Sequence, residues 1–334
     1  MIGSMNLDLV VCLGCRTSTP DQLDLRTLQR SGDILTCECG LRYPIVDGVP
    51  IVLNQPSQYV QTEIATFVER DLPTEVAALL AAAGDPYAHL LEHLSTYLDA
   101  QWGDRAEPRP DGPGARSGLD GVIERLADLP PVALAVELGC SVGRIVAELA
   151  VHAEHVVGID LHFGTVRRAR RILDGEPLEY NRRVIGRHYA TATIDAAERA
   201  ARNRTLLCAD ALDPPLIPQS YDRVVALNLL DSVHNPRQLL SVMDGLCAPG
   251  GELIVSSPYS WQSNVMTDDQ RIGGSDPAAD LLTILRDGLN LRARYLIEDQ
   301  AELTWTLRRD SRSVATYRIH YIRARQTVTV TTGT

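Results

Sequence analysis

Five short apolar runs lie between residues 132 and 255, and each is followed by a turn or a helical pattern. Runs of this length without polar alternation are typical of strands buried on both faces of a parallel sheet. The predicted strands are Val132 to Leu138, Val156 to Ile159, Thr205 to Cys208, Arg223 to Leu227 and Leu253 to Val255. Because helical patterns separate the strands, we expect a doubly wound α/β sheet that binds its ligands at the carboxyl ends of the strands.

The sequence on either side of these five strands predicts further strands and helices. Residues 41–53 alternate turn residues with β-branched runs, as in a small antiparallel sheet. Asp85-Pro86 predicts the start of an amphipathic helix, whose His93 and Tyr97 could close over a ligand. Residues 104–118, rich in Pro, Gly and Arg, predict a linker. Residues 295–297 and 314–322 predict two more strands, and 327–334 a frayed end. The predicted domains are 1–56, a helical connector over 57–120, and 121–334.

Composition narrows the chemistry. The chain has 334 residues with a formal charge of −11, and none of its 32 cationic residues is lysine. P-loops, pyridoxal enzymes and Ser-Lys hydrolases all require a lysine, so these classes are excluded. The negative charge argues against a chain built to hold nucleic acid. The longest apolar run, Val76 to Ala83, is too short to span a membrane, and no signal peptide is evident, so we expect a cytoplasmic protein.

Four of the seven cysteines lie within the first forty residues, as two close pairs. They are Cys12, Cys15, Cys37 and Cys39. Two pairs separated by the length of one hairpin predict a structural Zn²⁺ site, and a pair of disulfides is the alternative. Cys140, Cys208 and Cys247 are interpreted as buried core residues.

Acidic residues lie at or directly after the ends of three of the predicted strands. Glu137 precedes a turn with Gly139 and Gly143, Asp160 ends the second strand, and Asp210 follows the third. Such acids suit the hydroxyls and amine of a nucleoside that carries positive charge. Two alternatives are weaker. A Gly-x-Ser-x-Gly nucleophile elbow would leave Asp160 and Asp210 without a role, and an NAD site would need a glycine where Val146 stands.

With these motifs, residues from about 121 onward resemble the class I S-adenosylmethionine-dependent methyltransferases. The resemblance implies a seven-stranded Rossmann-like sheet. It also implies that the first turn holds the methionine part, the second acid the ribose, and the third acid the adenine. The residues assigned to the cofactor are Glu137, Gly139, Cys140, Ser141, Gly143, Asp160, Leu161, Asp210, Ala211 and Asn228.

Two narrower resemblances add detail. The cysteine pairs with Tyr43-Pro44-Ile45 and Asp47-Gly48 resemble the zinc-ribbon proteins that activate tRNA and rRNA methyltransferases, although the second pair has one intervening residue where two are more common. Residues 228–236, 249–261 and 272–274 resemble the methyltransferase domain of ovothiol biosynthesis, which methylates a ring nitrogen of 4-mercaptohistidine. Here Ser232 replaces an arginine of that pattern and Arg271 a tryptophan.

These resemblances lead to a hypothesis for catalysis. Asp231 and Tyr259 are expected to face the substrate, His234 is a further candidate base, and Trp261 and Trp102 are expected to wall the pocket. The predicted reaction is N-methylation of a small amine or an imidazole-type nitrogen.

An RNA or protein methyltransferase is the alternative, because ten arginines lie between residues 167 and 204. Interleaved acids favour solvated helix faces with paired charges there. We therefore expect a small-molecule substrate, no nucleic acid and no membrane, and we leave a homodimer open.

Overall fold

The computed structural model describes residues 5–16, 18–19, 22–23, 25–69, 71–81, 86–109 and 117–327, with backbone alone at 18–19 and 22–23. Asp85, much of the predicted linker and residues 328–334 lie outside this part, so those predictions are not tested. No helix within it is long and apolar enough to cross a membrane.

The N-terminal segment forms short strands, and the connector that follows it is helical. The strands are β1 Ser18–Thr19, β2 Gln22–Leu23, β3 Gln29–Ser31, β4 Ile34–Thr36, β5 Arg42–Val46 and β6 Val49–Pro50. The connector contains α1 Pro56–Thr62, α2 Ile64–Val68, α3 Thr74–Leu80, α4 Pro86–Trp102 and β7 Ala106–Glu107. Strands β3 to β6 form an antiparallel sheet in chain order, as the turn pattern predicts.

The remainder combines strands with helices, and two pairs of its strands form hairpins. The elements are α5 Asp120–Ala127, β8 Val132–Leu138, α6 Arg144–Val151, β9 Ala153–Asp160, α7 Phe163–Leu173, β10 Leu178–Ile185, β11 His188–Ile194, β12 Arg204–Cys208, β13 Tyr221–Leu227, α8 Pro236–Leu246, β14 Cys247–Ser257, α9 Pro277–Asp287, β15 Arg294–Asp310 and β16 Ser313–Thr327. The five buried strands predicted from the apolar runs are confirmed.

Seven strands form the central sheet in the order β12-β9-β8-β13-β14-β16-β15. The first five are parallel, and β16 lies antiparallel between β14 and β15. This confirms the predicted Rossmann-like α/β fold. The two C-terminal strands are much longer than predicted, because they continue as a hairpin beyond the sheet.

The N-terminal strands pack against the edge of this sheet. Ile51 forms a parallel bridge with Cys208 at the end of edge strand β12, and the Val52 amide donates to the Cys208 carbonyl at 3.0 Å. One buried cluster contains residues of both parts, among them Leu35 and Leu207. The predicted boundaries at residues 56 and 120 stay predictions.

The arginine-rich region departs from the predicted solvated helix faces. Residues 178–194 form the hairpin β10–β11, which pairs with β7. Arg168, Arg182 and Arg204 are at most 7% exposed. Their carboxylate partners are Glu69, Asp99 and Asp174, respectively. The expected ion pairs are present, but these three are buried inside the protein, because each acid comes from a different element than its arginine.

A buried ion pair joins β13 and β14. The Arg223 Nε donates to Glu252 Oε1 at 2.6 Å, and both side chains are 1% exposed. The other oxygen of Glu252 accepts hydrogen bonds from Arg323 and Arg325 on β16.

Glu252→Ala should therefore lower the free energy of unfolding by about 3–5 kcal/mol, because it leaves the Arg223 charge buried without its partner. Glu298→Ala is the matched control, since Glu298 also pairs with Arg323 and Arg325 but is 24% exposed. We expect the control to cost about 1 kcal/mol or less. Urea unfolding measures both, and equal losses would contradict the prediction.

Candidate active site

The turn after β8 requires glycine. Gly139 and Gly143 adopt φ of +77° and +81°, and Ser141 between them has φ of +48°. A Cβ at Gly143 would lie 2.9 Å from the Ala169 Cβ on α7. The turn therefore packs against α7 and brings its own backbone to the carboxyl edge of the sheet.

Asp160 connects this turn to the end of β9. Its Oδ2 accepts the Ser141 amide and its Oδ1 the His162 amide, both at 2.8 Å. Burial raises the pKa of Asp160, and the two amides oppose that shift. Each oxygen keeps a second lone pair, so the carboxylate can also accept a ligand hydroxyl.

Glu137 has an unsatisfied oxygen at the same edge. The side chain is 3% exposed, and Oε2 has no hydrogen-bond partner among the described residues. Burial, followed by the charge of Asp160, raises the pKa of Glu137 well above its usual range. A buried acceptor of this kind fits a cationic or hydrogen-bond-donating ligand group.

Two adjoining cavities lie over these acids. The inner cavity is about 220 Å³ and the outer cavity about 370 Å³. Both are lined by Gly139, Asp160, His162, Leu229 and Ser232. The inner cavity also contacts Glu137, Ser141 and Asn228, and the outer contacts Leu161, Asp210 and Ala211. The structure thus brings together eight of the ten predicted cofactor residues, while Cys140 and Gly143 lie in the supporting turn.

The outer cavity combines an exposed apolar side chain with a carboxylate. Leu161 is 48% exposed although it adjoins the core. Asp210 Oδ1 accepts the Leu212 amide at 2.8 Å, which fixes the carboxylate at the start of its turn. An apolar surface beside an acceptor suits a flat heteroaromatic ring that carries an amine.

Imidazole and aromatic side chains line the inner cavity. His93 and Tyr97 come from α4 and Trp305 from β15. The His93 ring lies 5.2 Å from the His162 ring and 4.7 Å from that of Tyr97. Burial, followed by the charge of His162, lowers the pKa of the His93 imidazole to about 4, so this imidazole is neutral at pH 7. Neither His162 nor Trp305 was singled out from the sequence.

The predicted catalytic residues lie beside these cavities and are not among their lining residues. Asp231 is buried, and its Oδ1 accepts the Ser257 hydroxyl at 3.0 Å. The Tyr259 hydroxyl lies 2.8 Å from His320 Nδ1. His234 is exposed. Their roles in catalysis stay predictions.

The two tryptophans have different environments. Trp102 is completely buried, and its indole N–H donates to the Val142 carbonyl at 2.9 Å, so it supports the glycine turn from beneath. Trp261 is partly buried beside Tyr259, with 5.8 Å between the rings. Neither is a lining residue of the two cavities.

The four N-terminal cysteines cluster as predicted. Their sulfurs lie within 4.8 Å of one another, so they can hold a metal ion. The separations are 3.7 Å between Cys12 and Cys39, and 3.5 Å between Cys15 and Cys37. The Leu41 backbone amide lowers the pKa of the Cys39 thiol to about 7, which favours the thiolate.

Comparison with known proteins agrees with this geometry. Residues 174–255 match a family described as a methyltransferase domain. No curated protein matches the chain.

Among solved structures, the magnesium protoporphyrin IX methyltransferase ChlM of Synechocystis PCC 6803 is 18% identical, with a TM-score of 0.40, over 74% of this chain and 100% of that one. The N-methyltransferase NodS of Bradyrhizobium japonicum WM9 is 17% identical, with a TM-score of 0.39, over 62% and 84%. A phosphoethanolamine N-methyltransferase of Haemonchus contortus is 15% identical, with a TM-score of 0.31, over 41% of this chain and 27% of that longer one. Likenesses this distant say nothing about the substrate.

The strand order, the acids at three strand ends and the family match define one class of protein. The chain contains a methyltransferase domain within a Rossmann-like α/β fold.

Glu137→Gln should stabilise the ligand-free protein at neutral pH. Burial raises the pKa of Glu137, so between its unfolded value and the raised value the folded state holds an extra proton. The stability of the natural protein therefore falls as pH rises above about 4.3, and the advantage of the variant grows over that range.

Urea unfolding at pH 5 and pH 7.5 measures this difference, and calorimetry with S-adenosylhomocysteine measures the accompanying loss of affinity, expected to be about tenfold. Glu154→Gln is the control, because Glu154 is exposed on β9. A variant that matches this control in both measurements would remove Glu137 from the site.

Proposed function

We propose that this enzyme is a class I S-adenosylmethionine-dependent methyltransferase and that it methylates the nitrogen of a small amine or an imidazole-type, amino-acid-derived molecule. The inner cavity carries the proposal. At about 220 Å³ it would hold the methionine part of the cofactor as well as the acceptor, so only a small acceptor has room there, and a neutral imidazole and aromatic side chains line it beside the acids. An aromatic wall next to carboxylates favours a cationic or heteroaromatic amine.

The two cavities fit the parts of S-adenosylmethionine, which supplies an electrophilic methyl group on a sulfonium when bound. Glu137 would accept from the ammonium of its methionine part, and Asp160 would accept the ribose hydroxyls. Asp210 and Leu161 would hold the adenine, the first through its exocyclic amine and the second against the ring. The unsatisfied Glu137 oxygen supports this assignment.

Catalysis then depends on holding the acceptor nitrogen in line with the methyl group in a site that excludes water. The acceptor nitrogen would give its lone pair to the methyl carbon as the carbon–sulfur bond breaks, and it would lose a proton if it carried one. His93 is placed to accept that proton, because it lines the inner cavity and is neutral at pH 7, although its lowered pKa makes it a weak base. Asp231, predicted from the sequence, is the second candidate.

In this proposal the acceptor is not 4-mercaptohistidine, which the ovothiol family methylates. Ser232, which stands where that family has an arginine, lines both cavities. The cavity wall therefore lacks a cation that the family's pattern provides, so we do not extend 4-mercaptohistidine to this chain as its substrate.

RNA methylation is less favoured. Arg168, Arg182 and Arg204 of the arginine-rich region are committed to buried ion pairs and cannot contact phosphates. Affinity for RNA comes largely from exposed cations that displace counterions from the phosphate backbone, and buried arginines cannot do this.

A panel of imidazoles, primary amines and total tRNA, assayed for S-adenosylhomocysteine formation, tests this function. We expect turnover with a small nitrogen acceptor, and methylation of tRNA alone would overturn the proposal. With an acceptor in hand, His93→Gln should lower kcat by about 10²-fold or more if His93 is the base. His89→Gln, exposed one turn earlier, is the control, and Asp231→Asn tests the second candidate.

We also propose that Cys12, Cys15, Cys37 and Cys39 hold one structural Zn²⁺. Tetrahedral Zn²⁺ with bonds of about 2.3 Å places its sulfurs about 3.8 Å apart, close to the two separations of 3.7 and 3.5 Å.

Metal analysis of the purified protein should find about one Zn²⁺ per chain. Cys37→Ser should lose most of it, because one of four ligands is removed. Cys247→Ser should keep it, since Cys247 is a buried cysteine outside the cluster. Full zinc content in both variants would rule out this site.

A further inference from the structure

The loop over residues 210–216 joins the proposed adenine acid to the N-terminal segment, the described residues between 5 and 56, which we call the ribbon. Asp210, at its start, lines the outer cavity. The Leu212 amide donates to the Asp210 carboxylate at 2.8 Å, and the Asp213 amide donates to the Asp210 carbonyl at 3.1 Å. The position of the Asp210 carboxylate therefore depends on the path of residues 212 and 213.

The ribbon holds the other end of this loop. The Arg16 guanidinium pairs with Asp213 and donates to the Pro214 carbonyl at 2.6 Å. The Val11 amide donates to the Pro215 carbonyl at 2.9 Å. Arg16 directly follows Cys15 and Val11 directly precedes Cys12, so the groups that hold the loop flank two proposed metal ligands.

A second contact and a shared cavity extend this connection. The Asn54 amide donates to the remaining oxygen of Asp213 at 2.7 Å. A cavity of about 370 Å³ lies between ribbon and loop, with Leu13 and Asn54 on one side and Asp210 and Asp213 on the other. It shares Leu161 and Asp210 with the outer cavity. The ribbon thus forms part of the wall that continues the proposed adenosine site.

We propose that the metal-bound ribbon positions Asp210 for recognition of the adenine amine, with Arg16 as the positioning residue. Metal occupancy then controls cofactor affinity, beyond its contribution to folding of the ribbon. The inference rests on the proposed cofactor role of Asp210. A merely structural ribbon would alter stability without altering the preference between nucleosides.

Arg16→Gln and calorimetry with two probes test the inference. S-adenosylhomocysteine carries the adenine amine, and S-inosylhomocysteine has a carbonyl in its place. We expect Arg16→Gln to weaken binding of the first about tenfold and to leave the second nearly unchanged, which is the loss of one charge-assisted hydrogen bond. Arg30→Gln is the control, because Arg30 pairs with Asp33 inside the ribbon.

Metal removal gives an independent measurement on the natural protein. Chelation should weaken S-adenosylhomocysteine binding, and added Zn²⁺ should restore it. Urea unfolding and zinc content confirm that each variant is folded and loaded. If Arg16→Gln does not fold, Asn54→Ala removes the second contact to Asp213 and should reduce the same preference.

The outcomes separate the two proposals. If the natural protein binds S-adenosylhomocysteine, and Arg16→Gln matches Arg30→Gln for both probes, the positioning inference is wrong and the proposed function stands. If the natural protein binds neither probe nor S-adenosylmethionine, the proposed cofactor site is wrong, and the inference fails with it.

Discussion

The candidate site depends on one half-buried carboxylate that joins two strand ends. Asp160 accepts the amides of Ser141 and His162, and so fixes the glycine turn after β8 against the end of β9. The cost is a second carboxylate, Glu137, buried nearby with an unsatisfied oxygen. Two acids held together in a low dielectric repel each other, so the pair favours a cationic ligand. The pair of acids thus lowers the stability of the ligand-free protein and raises its affinity for a cationic ligand, as at many binding sites.

Because the chain has no lysine, arginine and histidine are the side chains that can supply positive charge to its ion pairs. The planar guanidinium of arginine offers several donors in fixed directions, so one carboxylate can collect more than one cation. Glu252 accepts from Arg223, Arg323 and Arg325 and thereby joins three neighbouring strands. Similar pairs join the connector to α7 and to the hairpin β10–β11, for example Arg168 with Glu69 and Arg182 with Asp99. Part of the charge that suggested RNA binding in the sequence is therefore internal in the fold, namely Arg168, Arg182 and Arg204.

The sequence predicted the parallel strands well because strands buried on both faces are almost uniformly apolar. It missed hairpin β10–β11 and underestimated β15 and β16, since their charged residues find partners that are distant in sequence, such as Asp99 for Arg182. The acids of the site were found because they directly follow apolar runs. His162 and Trp305 were missed: the first caps α7 with no distinctive pattern, and the second reaches the cavity only through the register of a long hairpin. Trp102 is predicted to wall the pocket, and in the structure its indole N–H donates to the Val142 carbonyl; aromatic character alone does not distinguish a wall from a support for the glycine turn.

The antiparallel position of β16 has a consequence for biosynthesis. Until residues 313–327 leave the ribosome, β14 has an open edge and β15 has no neighbour in the sheet, although the whole nucleoside-binding half is already made. An exposed, apolar strand edge is a template for pairing with other nascent chains. Premature termination before Ser313 would remove a strand from the interior of the sheet, so the shortened product would become a substrate for chaperones and proteases.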